Sequence, residues 1–256
     1  AAHHARSGAM QRKLYEAGYA AITAPTAYGG RGGEPWMQQA FREEASVRNS
    51  HTGFYGSILA MASPALLAYG TEEQKRTHLP GLYAGAVSWC QLFSEPGAGS
   101  DLAGLGARAD LVGDEFVING QKVWNSAAMY ADMGILLVRT DPDAVKHAGI
   151  TFLLFDMRQP GVEVRPLIQA NGAGHFAEVF LTDARCPVTN VLGEVGGGWA
   201  PTRVVMANES AMIGGAAGNR AAKLIQLARL QGRDDEPLVR QQLADVHARE
   251  LLLSSM

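Results

Sequence analysis

The apolar residues of this chain change rhythm twice. Over residues 10–82 they recur at three- and four-residue intervals: Leu14, Tyr15, Gly18 and Tyr19 share one face, and Met37, Ala40, Phe41, Glu44 and Ala45 repeat the step. That period predicts helices packed through one stripe. Residues 28–33, Tyr-Gly-Gly-Arg-Gly-Gly, read as a flexible break, and Pro64 and Pro80 as further punctuation. Thr71 followed by Glu72, Glu73 and Gln74 reads as an N-cap with an acidic first turn, opening a short helix towards Leu79.

From Ser88 the period shortens to that of strands. Residues 87–93, 107–112, 115–118, 121–126, 135–140, 150–156, 162–165 and 177–181 are apolar or alternating runs. Gly113-Asp114 is a tight hairpin turn, and Asn119-Gly120 reads as another. No helical stretch separates these runs, which argues against a parallel βαβ sheet and for an antiparallel β-barrel or sandwich. After Gly196-Gly197-Gly198 the helical rhythm returns, with one long helix expected from Trp199 to about Gln231. Gly214, Gly215 and Gly218 lie within it; each costs roughly 1 kcal/mol against alanine, so a close helix–helix or helix–ligand approach is expected there. Asp234-Asp235-Glu236-Pro237 starts another helix, with Leu238, Val239, Leu243, Val246 and Leu251 on its apolar side. The sequence stops at Met256 with no obvious partner for that face, the pattern of a truncated domain. The fold class expected is α+β: a helical N-terminal domain over residues 1–87, a middle β-domain over 88–195, and the start of a C-terminal helical bundle over 196–256.

Composition narrows the function. Hydrophobic residues make up 47% and charged residues 18% of 256 positions, the balance of a globular protein. Lys+Arg 22 against Asp+Glu 25 leaves a net charge of −3 with the cations scattered, so the basic face of a nucleic-acid binder is missing. No apolar run approaches the roughly 20 residues that span a bilayer. Cys90 and Cys186 stand far apart in sequence and read as small buried hydrophobes, so neither a disulfide framework nor a metal motif is expected, and a cytoplasmic setting is the default. His3 and His4 have no neighbouring ligands in sequence. Ser100, His175 and Asp101 can be assembled into a triad on paper, but no G-x-S-x-G elbow accompanies them.

The sharpest local feature is Phe93-Ser94-Glu95-Pro96-Gly97-Ala98-Gly99-Ser100-Asp101, a strand running into a loop of small residues. Glycines there let backbone N–H groups turn inward, and Ser94 and Ser100 add hydroxyls. No Lys follows as in a P-loop, and no helix opens as in a dinucleotide fingerprint.

Extended back to Trp89-Cys90-Gln91-Leu92, this segment resembles the signature of the acyl-CoA dehydrogenase family. The resemblance continues through Gly120-Gln121-Lys122-Val123-Trp124-Asn125-Ser126, Phe176-Ala177-Glu178-Val179-Phe180, Asp183-Ala184-Arg185-Cys186-Pro187, Gly198-Trp199 and Asn208-Glu209-Ser210. Upstream, Gly18-Tyr19, Pro25 and Tyr28-Gly29-Gly30 match the family's early helical region. The resemblance implies FAD as cofactor, an acyl-CoA substrate, an electron-transfer flavoprotein as acceptor, and assembly as a homodimer or homotetramer. By the same likeness Gln91, Leu92, Phe93 and Ser94, with Gly99 and Ser100, meet the flavin and its pyrophosphate. Trp124, Asn125 and Ser126 stand on the ring's other side. Ser100, Asn208 and Ser210 fall at substrate-contacting positions, and Glu209 falls where one branch of the family carries its catalytic base. Another branch places that glutamate later, beyond Met256. Ser210 stands where relatives usually have an Arg that contacts CoA, Ala177 where an Asn is common, and Gln91 where an aromatic or small residue is frequent. Two other readings stand beside the dehydrogenase: a non-catalytic or truncated subunit of a heteromeric enzyme, and a flavin-dependent oxidase or monooxygenase on the same scaffold.

Overall fold

The computed structural model describes residues 2–46, 52–215 and 220–254. Four helices come first: α1 (Ala2–Glu16), α2 (Pro35–Ser46), α3 (Phe54–Tyr69) and α4 (Glu72–Ala84). α4 opens on a complete capping box, in which the Thr71 hydroxyl accepts from Gln74 N at 3.1 Å and Gln74 Oε1 accepts from Thr71 N at 3.0 Å. Pro64 and Pro80 do not punctuate helices as expected; they lie inside α3 and α4. The bond each ring removes is a modest loss where tertiary packing holds the helix, and Ala62, Ala65, Leu66 and Leu79 around them are fully buried.

Seven strands follow: β1 (Trp89–Leu92), β2 (Arg108–Val112), β3 (Glu115–Ser126), β4 (Met133–Arg139), β5 (Ile150–Asp156), β6 (Val162–Leu167) and β7 (Phe176–Pro187). They form one sheet in the order β1-β4-β2-β3-β7-β6, with β5 antiparallel to β4. The sheet is mixed where antiparallel pairing alone was expected: β1 runs parallel to β4, and Arg108 of β2 pairs in parallel with Arg139 of β4. The loop after β1 and the β2–β3 hairpin make up the crossover, so no helix was needed to return the chain. Asn119-Gly120 is not a turn. β3 passes straight through it with a register shift against β7, and Asn119 bonds across to Asp183 through both ends of its amide. Gly120 is required there because a Cβ would lie 2.6 Å from that of Ala107.

β4 and β5 are covered on both faces, which explains their unbroken apolar runs. Ile135, Leu137, Ile150, Phe152 and Leu154 point into a core shared with α3, α4 and Val205. Leu136, Val138, Leu153 and Phe155 point into a second core with Phe116, Ile118, Val179 and Leu181. The period of two sorts one strand into two cores. Cys90 and Cys186 are buried in the second core as free thiols.

Beyond the sheet lie α5 (Trp199–Gly215), α6 (Arg220–Leu230) and α7 (Pro237–Ser254). The single helix expected over 199–231 is two described elements, and Gly218 falls outside the described residues. α5 packs along α3 and against β5. Its entry is tight: a Cβ on Gly198 would stand 2.5 Å from Phe152 N. Among the described residues no helix is long and apolar enough to cross a membrane.

Candidate functional site

The loop after β1 is stitched to β3 carbonyl by carbonyl. Gln91 O accepts from Asn125 Nδ2 at 2.9 Å, Phe93 O from Lys122 Nζ at 3.1 Å, and Ser94 O from Val123 N at 2.9 Å. Glu95 and Ala98 then exchange backbone hydrogen bonds of 3.0 and 3.1 Å, closing a turn over Pro96 and Gly97. The Glu95 carboxylate accepts from Gly106 N at 2.7 Å, Ala107 N at 2.9 Å and Lys122 Nζ at 2.7 Å. Backbone from 91 to 95 is thus tied to β3, while Gln91 and Leu92 also pair with Ile135 and Leu136 of β4. Leu92 and Phe93 anchor it in the two cores, Phe93 meeting Phe152 edge-on at 5.7 Å. Gln91 and Ser94 remain half-buried, and Gly97 and Gly99 face open space where an added Cβ meets nothing within 4 Å. Ser100 is exposed, and Asp101 pairs with Lys146 at 2.7 Å instead of with a histidine.

On β3 a second register shift, between Lys122 and Asn125, turns the next residues out of the ladder. Trp124 sits there with φ of 63°, a left-handed conformation that costs an L-residue roughly 1–2 kcal/mol. Its indole is 60% exposed and touches Phe176 edge-on at 5.8 Å. Asn125 is 2% exposed; its amide N–H is used on Gln91, while its Oδ1 has no hydrogen-bond partner among the described residues. Ser126 is half-buried and lines a cleft of about 420 Å³ with Ala127, Tyr130, His175 and Phe176. His4 reaches the same cleft from α1, stacking on Tyr130 at 4.5 Å and bonding Tyr55 at 2.8 Å. Burial lowers its imidazole below the usual range.

The residues predicted for a cofactor therefore meet. Gln91, Leu92, Phe93, Ser94, Trp124, Asn125 and Ser126 converge where β1 ends and β3 bulges, with Gly99 and Ser100 on the adjoining loop. Asn208, Glu209 and Ser210 lie on α5. Asn208 turns back to Val204 O at 2.8 Å, Glu209 is half-buried, and Ser210 is exposed. Among the described residues no hydrogen bond or ion pair joins these three to the loop or to β3. Lys122 and Glu95 lie within the sequence motifs, and neither carries a role that the motifs alone imply. The available signal was parity: Phe116 and Ile118 face inward, so Lys122 on the same strand face does as well, and it is fully buried. Burial pulls its ammonium down to about 8, against the opposing pull of Glu95.

An exposed indole in a strained conformation, a buried oxygen without a donor, and a glycine-lined loop open on one side fit a flat ring system with polar edges. The N-terminal domain model of the acyl-CoA dehydrogenases matches residues 1–86 and the middle domain model residues 90–184. The chain belongs to the acyl-CoA dehydrogenase family. Acyl-CoA dehydrogenase IpdE1 of Mycobacterium tuberculosis is 38% identical over 244 residues, covering 92% of this chain and 62% of that protein. A variant of the Tcur3481–Tcur3483 steroid ACAD superposes with a TM-score of 0.85 at 32% identity, over 98% of this chain and 67% of that one. The ChsE4–ChsE5 complex from Mycobacterium tuberculosis superposes at 0.80 and 32%, over 97% and 66%. The chain thus spans about two thirds of these relatives, whose family is generally FAD-dependent.

Proposed function

We propose that this chain forms the flavin-holding part of an FAD-dependent acyl-CoA dehydrogenase that converts an acyl-CoA thioester to its trans-2-enoyl form. The observation that carries the reading is Trp124, strained and open to solvent beside the loop of residues 91–94. Within this chain the indole meets Phe176 edge-on and is otherwise largely exposed, and a ring system laid on it would cover that surface. In this reading the functional units are residues 1–87, 88–195 and 196–256. A bound FAD would supply the acceptor for the hydride that leaves the β-carbon of the substrate. The chain's own residues do the rest. Backbone and hydroxyl groups of Gln91, Leu92, Phe93 and Ser94 orient the ring edge, Trp124 walls one face, Asn125 and Ser126 meet polar atoms, and Gly99 and Ser100 admit the pyrophosphate or the CoA arm. Glu209 takes the α-proton at its carboxylate. Asn208 and Ser210 border the thioester. A homodimer or homotetramer, an electron-transfer flavoprotein as acceptor and a cytoplasmic setting complete the proposal.

The test is spectroscopic. Purified protein should be yellow and should bleach with acyl-CoA under anaerobic conditions, and Glu209→Gln should stay yellow but resist bleaching. Normal turnover by that variant would place the base elsewhere. A second reading, a subunit of a heteromeric enzyme, is favoured by Ser210 standing at the usual Arg position and by two structural relatives, Tcur3481–Tcur3483 and ChsE4–ChsE5, whose names pair two chains. It predicts colourless protein that gains flavin only after mixing with a second subunit. Oxygen consumption by the reduced protein would instead favour an oxidase.

A further inference from the structure

Lys122 is fully buried on the inward face of β3, inside the sheet and beneath the loop that follows β1. Bringing an ammonium out of water is costly, and a methionine or leucine would fill such a position more cheaply. Its placement repays attention to what it holds. Nζ donates to Phe93 O at 3.1 Å and to Glu95 Oε1 at 2.7 Å. Glu95 passes the restraint on, accepting from Gly106 N and Ala107 N at the start of β2. One ammonium thereby joins three segments: the end of β1, the turn over Pro96 and Gly97, and the approach to β2. The neighbouring links, Asn125 to Gln91 O and Val123 N to Ser94 O, flank it on the same strand. Removing Lys122 leaves those two in place and frees the loop between them.

We propose that Lys122 is a positioning residue for cofactor binding: through Phe93 O and Glu95 it sets how far the backbone of Phe93 and Ser94 stands from the ring carried on Trp124. The inference rests on the flavin reading above. Hydrogen bonds to a flavin ring strengthen or weaken as electrons arrive on it, so the distance of this backbone governs the ratio of affinities for oxidised and reduced cofactor, and with it the midpoint potential. A lysine that merely fills space would set neither.

The experiment titrates FAD into deflavinated protein, in whatever oligomer the chain assembles, and measures the midpoint potential of the reconstituted form. Wild type, Lys122→Met and Phe155→Leu are compared. Phe155 belongs to the second core and is no part of the link from Lys122 to Phe93 O and Glu95, so its variant lowers stability without touching the tether. The expectation for Lys122→Met is a Kd for FAD raised tenfold or more and a displaced midpoint potential. Phe155→Leu should keep both wild-type values while losing thermal stability. Lys122→Met binding FAD within twofold of wild type at an unchanged potential overturns the inference and leaves the flavin reading intact. If Lys122→Met fails to fold, Glu95→Asp decides, because it withdraws the carboxylate by one methylene while both charges remain. A several-fold rise in Kd supports the tether, and a wild-type Kd overturns it. Wild-type protein that takes up no FAD, alone or with a partner subunit, overturns the flavin reading and the inference together.

Discussion

Trp124 allows backbone strain and cofactor contact to be measured at one position. With φ at 63° the residue lies where glycine is at ease and other residues are not. Elsewhere in a strand, glycine is less stable than alanine by about 0.5–1 kcal/mol. At position 124 the order should invert. Trp124 is 60% exposed, so of the roughly 250 Å² a tryptophan can bury only about 100 Å² is covered here, with Phe176 edge-on against the ring. Trp124→Ala and Trp124→Gly both forfeit that contact, worth about 2 kcal/mol. They differ in the left-handed penalty, which only alanine keeps. Trp124→Gly should therefore exceed Trp124→Ala by about 1 kcal/mol in urea unfolding of the flavin-free protein, or roughly 2–4 °C in Tm. Both should lose FAD affinity alike, by about 5- to 150-fold if a ring stacks on the indole with the 1–3 kcal/mol usual for aromatic stacking. Alanine as stable as glycine would refute the strain argument. Undiminished FAD binding in both variants would refute the ring-stacking argument.

Other consequences are open to the same methods. Gln74 donates from its amide to Thr189 O at 2.8 Å and Val191 O at 2.9 Å besides closing the capping box. Gln74→Ala should thus cost about 2–3 kcal/mol in chemical denaturation, more than the roughly 1 kcal/mol of Thr71→Ala. Gly198→Ala should destabilise by at least about 2 kcal/mol, since the new methyl meets backbone of β5 at 2.5–2.7 Å, and an unchanged Tm would contradict the packing described. Alkaline pH provides a signed test of the buried cation. The folded ammonium of Lys122 gives up its proton near pH 8 and the unfolded one near 10.4, so between those values the unfolded state holds more protons and stability from this group rises with pH. Burial pushes Cys186 up to about 12 and Cys90 higher still, which removes stability over the same range. The difference between wild type and Lys122→Met isolates the lysine. It should move about 3 kcal/mol in favour of wild type from pH 8 to 10.5, and a flat difference would refute the assignment.

The helix–strand–helix order was legible because period is written in burial. β4 and β5 read as unbroken apolar runs, and the capping box at Thr71 read correctly because its hydrogen bonds are local. Misreadings occurred where tertiary contacts overrode local signals. Asn119-Gly120 is a strong hairpin dipeptide, but Asn119 bonds to Asp183 some 64 residues away, and the strand runs through. Proline breaks helices in isolation; Pro64 and Pro80 sit in helices held by buried neighbours. The parallel pairing of β1 with β4 had no sequence signal, because the crossover consists of a loop and a hairpin instead of a helix. Within the site, the loop and the Trp124 motif were found from the family likeness. The left-handed backbone at Trp124 was not visible, since a bulge depends on register with β7.

The site occupies the irregular parts of a rigid frame, and this separates stability from function. β4 and β5, buried on both faces, hold β1 by its parallel edge, and the regular ladder carries the core. Everything assigned to the cofactor lies where that regularity ends: the carbonyls past Leu92, the turn at Glu95 and Ala98, and the β3 bulge at Trp124. Departures of that kind have to be fixed by side chains, because the ladder no longer fixes them. Asn125 and Lys122 do so from β3, and each uses its polar head on a carbonyl of residues 91–93. Their apolar replacements would fit the core equally well and would leave the loop untethered. A buried amide and a buried ammonium side by side on one strand are therefore better accounted for by what they hold in place than by what they contribute to folding.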